Sequence, residues 1–449
     1  MSFRRYGRLT VEVGKTPKWY SVDSLCAFVV RPGANGKGEL ARVELGPIAA
    51  IDAAVQAWRD AIGVERERGA APTDDVQKKV RAHGSALRAL ILDPLAPALS
   101  GATRWIVALD DVLHTVPLDA LPDGDSGEPL GARVRIELRA SLFERLLGEL
   151  PLQEGGKLVA FGPVTFNSAG ASASALLETE EGDAALAAEP AVAASRGILR
   201  GGAWERGFSP LPATLEEIRS IGLCFEEAFE AFLPTAPADA PILLERRAAS
   251  RKALIELAPQ ARFLHVATHG WFAPESIASC EDLEPLDAKS GLAPRMSDEE
   301  RVCGMSPMLL CGIALAGANL PMDAVGRIPG LLTAEELATL DLSNCELAVL
   351  SACDTNVGIR RASQGVASLQ RALHMAGARS AITSVWKVPD DATRELMADF
   401  YRRLWIERKP KAQALWEAKT KLRTAKDETG RPRYGVRDWA GWVLTGDPD

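Results

Sequence analysis

The chain has 449 residues, 47% of them hydrophobic and 25% charged, an ordinary globular balance that excludes a disordered, collagen-like or coiled-coil protein. Its 52 basic and 60 acidic side chains give a formal net charge of −8, so a phosphate-tracking surface is not expected and nucleic acid is not an expected direct partner. The seven cysteines (Cys26, Cys224, Cys280, Cys303, Cys311, Cys345, Cys353) are an odd number without a CxxC pair. They suit a reducing, cytoplasmic compartment better than a disulfide framework, and they lack zinc-ligand spacing, so neither metal nor cofactor is expected. The opening MSFRRYGRLTVEVGK has no apolar signal core, and no stretch reaches the roughly 18 apolar residues of a membrane span. A soluble protein away from the membrane is the expectation.

After a short polar lead, SLCAFVV (residues 24–30) reads as a buried strand closed by Arg31-Pro32-Gly33. IAAIDAAVQAWRDAI and VQKKVRAHGSALRALILDPL carry apolar residues at three- and four-residue steps and predict two amphipathic helices, the second ending before Pro94. RWIVALDDVLHTVPLDAL predicts a strand, an Asp-Asp turn and a second short strand, completing an α/β lobe over residues 1–155. From Lys157 onward short apolar strands alternate with helices. KLVAFGP, PILLERRA, FLHVATHG, ELAVLSAC and SAITSVWKV are the strands. ATLEEIRSIGLCFEEAF, SRKALIEL, SQGVASLQRALHMAG and DATRELMADFYRRLW are the helices, the first with Thr214 and Glu217 spaced as a capping box. Alternation of this kind requires crossover connections, hence an α/β sandwich with a mainly parallel sheet covered on both faces. Two segments break the rhythm: residues 167–208, which predict a flexible linker or weak helix, and residues 273–307, which predict a long loop directly after His269-Gly270.

In open parallel sheets ligands bind beyond the carboxyl ends of the strands. Two predicted strands end in reactive residues there, one in His269-Gly270 and one in Cys353. A thiolate can attack a carbonyl while an imidazole delivers a proton to the leaving amine, and the N–H groups of Gly270 and Cys353 could bind the oxyanion. Against this, five histidines and seven cysteines place some pair at strand ends by chance, and free cysteine is often buried; spacing alone leaves both readings open. His265 alternates onto the same strand face as His269 and reads as a core or edge residue; Cys311 and Cys345 read as packing residues; His114 and His374 receive no role. Trp386 reads as packing against the sheet or walling a pocket, and Asp390-Asp391 opens a helix, where an acidic N-cap is the ordinary explanation.

FLHVATHG, LAVLSACDTNVG, Gln364-Gly365, ALHMAGARSAITSVWKVPDDATRELMADFYRRL and WAGWVLTGDP together resemble the CHAT family, caspase-like cysteine peptidases related to separase. The likeness extends back through SPLPATLEEI and TRWIVALDDVLHTVPLDALP, and more weakly to SLCAFVV, so it covers nearly the whole chain from near Tyr20. It implies a caspase-like peptidase domain over residues 156–449, preceded by a smaller lobe that would be a pseudo-caspase half. It also implies His269 as the catalytic histidine, Cys353 as the nucleophile, and Asp390 as the carboxylate that receives a substrate arginine. The implied partners are protein substrates and an upstream activating protease or sensor, in a bacterial defence or cell-death setting. CHAT proteins commonly carry a long helical-repeat region that this sequence does not display, so control is expected from loops. Cutting within 273–307 (Lys289, Arg295, Arg301) is the first expectation for zymogen activation and 167–208 (Arg196, Arg200, Arg206) the second. The competing readings are an idle caspase-like scaffold that binds a partner through the same cleft, and a cysteine hydrolase of small amides. Retention of His269, Gly270 and Cys353 speaks against the scaffold.

Overall fold

Runs of uninterrupted apolar residues are stable as strands only where both faces of a sheet are covered, and strands with charged alternate positions need one wet face. Both kinds occur here, in different parts of the chain. The computed structural model describes residues 1–12, 18–33, 37–64, 73–140, 156–171, 207–229, 240–273, 306–324, 327–351 and 359–449. They fall into two compact units, Met1–Pro151 with Ser384–Asp449, and Leu152–Thr383.

In the first unit, β1 (Ser2–Glu12), β2 (Lys18–Pro32) and β3 (Gly38–Pro47) form an antiparallel meander. Strand β1 passes in parallel onto β4 (Arg104–Ala108), which is followed by β5 (Arg135–Arg139) and by β14 (Trp442–Gly446), all parallel. The expectation of a polar lead and one strand is corrected here, because β1 and β3 flank β2. Their mixed sequences conceal them: Phe3 is buried next to exposed Arg4, and Arg42 and Glu44 are exposed on either side of half-buried Val43. The helices Ile48–Ile62 and Asp74–Ile91 form as expected, the first burying Ile51, Val55, Trp58 and Ile62 along one stripe. The second short strand expected after β4 does not form. Two 3₁₀ turns, Asp111–Thr115 and Leu118–Ala120, take its place, separated by Pro117, which has no N–H to give to a ladder. Trp386 is fully buried, edge-on to Trp58 at 6.3 Å between ring centroids, and its Nε1 donates to the Arg437 carbonyl at 2.9 Å. The unit also holds the helix Asp390–Tyr401 and a helix not expected from the sequence, Lys411–Thr424.

The second unit contains, in chain order, β6 (Lys157–Val164), β7 (Ile242–Arg246), β8 (Ala261–Ala267), β9 (His269–Phe272), β10 (Cys311–Ala314), β11 (Leu331–Thr333), β12 (Leu347–Ser351) and β13 (Ser380–Ser384). Strands β13, β12, β8, β6 and β7 lie side by side in that order and all run parallel. Helices Ala213–Phe229, Arg251–Leu257 and Ile359–Met375 supply crossovers, which gives the α/β sandwich that the alternation predicts. Val159, Phe161, Leu264, Val266, Ala348 and Leu350 are at most 1% exposed, the burial expected for all-apolar parallel strands. Ser250 caps the Arg251–Leu257 helix by accepting from the Ala253 N–H at 3.0 Å. The capping box expected at Thr214 is absent. The Thr214 hydroxyl donates to the Leu211 carbonyl at 2.6 Å, and Glu217 is drawn instead to His265. No helix among the described residues is long and apolar enough to cross a membrane.

The single strand expected over FLHVATHG is two strands. β8 ends at Ala267, and β9 starts at His269 in a separate antiparallel sheet of three strands, ordered β11-β10-β9. Its central strand carries Gly312 because nothing larger fits: a Cβ there would lie 2.0 Å from the Leu332 carbonyl oxygen and 2.8 Å from Trp271 Nε1. Gly312→Ala should therefore cost about 1–3 kcal/mol by overpacking, read as a lower urea midpoint at unchanged m value. An unaltered midpoint would show that this sheet tolerates a side chain where the geometry leaves no space.

Candidate active site

Thr268 joins the two sheets of the second unit. Its N–H donates to the Ser351 carbonyl at 3.3 Å, and its hydroxyl donates to the Ala314 carbonyl. Ser351 is the last residue of β12 and pairs with Ala267, so β8 and β12 end side by side. Positions 269 and 353 each lie two residues beyond one of these strand ends. Cys353 itself is outside the described residues, as are residues 274–305 and 172–206 of the two segments expected to be loops.

His269 begins β9 opposite Ala314 and is 7% exposed. Its ring sits between two aromatic neighbours, with centroids 5.4 Å from Phe166 and 5.8 Å from Phe208, and those two rings are 5.6 Å apart. Its Nε2 lies 2.7 Å from the Ser209 carbonyl oxygen. A carbonyl can only accept, so Nε2 carries the proton, and in the neutral ring Nδ1 holds the lone pair. A histidine arranged in this way can take a proton at Nδ1 and return it, while the carbonyl supports the imidazolium formed in between. Gly270 is the next residue of β9, buried and opposite Ile313.

The remaining candidates separate clearly. His265 is fully buried in β8 with Nε2 3.1 Å from Glu217 Oε1, a closed pair of polar groups in the core. Alternation along one strand had put it on the face of His269; the break at Thr268 removes that relation. Cys345 is fully buried and burial pushes its thiol up to about 12, the behaviour of a packing residue. Cys311 is also buried, its sulfur 3.5 Å from the Pro307 carbonyl. His374 Nδ1 lies 2.9 Å from the Ala378 carbonyl, and His114 is half-buried in the Asp111–Thr115 turn. Asp390 is exposed in the first turn of Asp390–Tyr401, and the N-cap residue of that helix is Pro389. Asp390 and Asp391 thus stand as the acidic first turn of this helix, beginning one position past the N-cap. Sequence reasoning missed Ser209, Phe166 and Phe208. Ser209 acts through its backbone, which no side-chain pattern announces, although it opens the SPLP stretch that contributed to the family likeness.

A mainly parallel sheet flanked by helices is the α/β sandwich of caspase-like proteins. The CHAT domain model matches residues 81–447, and the chain belongs to that family, whose domain is related to caspase-like cysteine peptidases. A search of curated proteins finds no match.

The tautomer is directly measurable. In ¹⁵N-edited spectra of histidine-labelled protein, the His269 signals, identified by their loss in His269→Gln, should show a protonated Nε2 and an unprotonated Nδ1 in the neutral ring. A majority Nδ1–H form would contradict the bond to Ser209.

Proposed function

We propose that this protein is a cysteine endopeptidase that cuts partner proteins after a basic residue. The observation that carries the reading is the fixed His269 ring, tied through Nε2 to the Ser209 carbonyl, two residues beyond the β8 strand end that lies beside the end of β12. Family membership supports the same chemistry. In this mechanism His269 Nδ1 takes the proton of the Cys353 thiol as sulfur attacks the scissile carbonyl carbon. The N–H groups of Gly270 and Cys353 stabilise the oxyanion. The proton then passes from His269 to the leaving amine as the C–N bond breaks, leaving an acyl-thioester. Water, deprotonated by His269, cleaves the C–S bond and releases the acid, and the proton returns to sulfur.

For specificity we assign Asp390 the role of receiving the P1 side chain. A carboxylate accepts two parallel N–H bonds from a guanidinium, which ranks Arg above Lys and rejects acidic residues. Activation by cutting within 273–307 in a cytoplasmic defence or cell-death setting completes the proposal, with protein substrates and an activating protease or sensor as partners.

Cys353→Ala and His269→Ala should each lower kcat/KM on an Arg-P1 peptide by about a thousandfold or more, with the urea midpoint of Cys353→Ala unchanged. Asp390→Asn should lower it about 10- to 100-fold, the loss of a charge-assisted pair, at an unchanged melting temperature. The measurement is turnover of a positional-scanning peptide library by the four proteins. Wild-type turnover by Cys353→Ala would overturn the nucleophile; equal turnover of Arg and Leu substrates would overturn the pocket; binding of a partner without any turnover would favour the idle scaffold.

A further inference from the structure

The carbonyl that orients His269 belongs to a segment without regular secondary structure, residues 207–211, so something must hold that segment in place. The group that does so is the side chain of Asn319, on the loop after β10. Its Oδ1 accepts from the Phe208 N–H at 2.7 Å, and its Nδ2 donates to the Phe208 carbonyl at 2.9 Å and to Asn167 Oδ1 at 2.8 Å. A backbone N–H only donates and a backbone carbonyl only accepts, so the two bonds to Phe208 fix which end of the amide is which. The Asn319 N–H donates to the Phe166 carbonyl at 2.9 Å. One buried residue, 8% exposed, therefore ties the chain leaving β6 to the Phe208 backbone, one residue before the Ser209 carbonyl, and so links the backbones of the two residues whose rings flank His269. Gly207 shows how close the fit is. Its φ of +86° suits glycine, and a Cβ there would come within 2.8 Å of Asn319 Oδ1.

We infer that Asn319 is a positioning residue for the reaction, holding the Phe208-Ser209 backbone so that the Ser209 carbonyl keeps His269 in its Nε2–H tautomer and in one ring orientation. The inference rests on the peptidase reading for its consequence, but its physical content is the tautomer, which is measured without substrate. No aliphatic or singly hydrogen-bonding side chain can satisfy the N–H and C=O of buried Phe208 together, and a buried backbone group that loses its partner moves to find another.

The experiment compares the full chain as wild type, Asn319→Leu, Asn319→Asp and Phe208→Leu by ¹⁵N-edited histidine spectra and by steady-state turnover of an Arg-P1 peptide. Asn319→Leu should reduce the ratio of Nε2–H to Nδ1–H at His269 at least about fivefold, the effect of losing one ordinary hydrogen bond, and lower kcat at least about tenfold with KM changed less than threefold. Asn319→Asp preserves the shape and the acceptor for the Phe208 N–H but loses both donations. It should fall between wild type and Asn319→Leu, and it serves as the test if the leucine variant does not fold. Phe208→Leu keeps the backbone grip while removing the ring and should retain the wild-type tautomer ratio. An unchanged ratio in folded Asn319→Leu or Asn319→Asp overturns the inference, as does a shifted ratio with unchanged kcat. A wild type that turns over no peptide even after limited proteolysis within 273–307, while Asn319→Leu shifts the ratio, refutes the peptidase reading and leaves the grip on His269 supported.

Discussion

Thr268 is the residue on which the site depends. Its N–H belongs to the parallel sheet through the Ser351 carbonyl and its hydroxyl to the three-stranded sheet through the Ala314 carbonyl. Two layers that share no ladder are thereby locked at one buried position, 3% exposed, and the next residue is His269. A continuous strand would have carried His269 in the register of β8, facing the same side as His265. The change of sheet at Thr268 gives it a different environment. His265 meets Glu217 in the core, while His269 meets two aromatic rings and a backbone carbonyl.

The surroundings of His269 hold a largely buried imidazole in one place. Packing against Phe166 and Phe208 restricts its ring, and the Ser209 carbonyl pairs the nitrogen that burial would otherwise leave without a partner. The carbonyl accepts from Nε2–H in the neutral ring and more strongly in the charged one, so the proton on Nε2 stays in place in both forms. Support from a backbone oxygen puts the burden of precision on whatever fixes residues 207–209. The Asn319 amide meets that demand with both of its ends.

Much of the second unit was legible because its strands are continuous apolar runs such as KLVAFGP and LAVLS, and nothing but a sheet covered on both faces stabilises such runs. The first unit was harder to read. β1 and β3 alternate charged with apolar residues in short stretches, and their pairing partner β2 was the one strand apolar enough to stand out. The Thr214–Glu217 spacing looked like a local capping box, but a buried imidazole 48 positions away competes for Glu217 more effectively than the helix end does. The break at Thr268 was invisible for a similar reason, since VATHGWF is apolar enough throughout to pass for one strand. Of the site, the family motifs singled out His269, Gly270, Cys353 and Asp390. They could not supply Ser209, whose part is played by a backbone oxygen, or Asn319, whose meaning lies in contacts across the fold with Phe208 and Asn167.

The central claim is that a thiol beyond the β12 strand end is made nucleophilic by His269 and attacks substrates with a basic P1 residue. It is tested most directly by covalent capture: wild-type and His269→Gln proteins are treated with a peptidyl-arginine acyloxymethyl ketone, digested, and mapped by mass spectrometry. The account predicts one adduct, on Cys353, formed rapidly in the wild type and slowed by orders of magnitude in His269→Gln. Labelling distributed over several of the seven cysteines, or labelling of Cys353 at the same rate without the histidine, would contradict it.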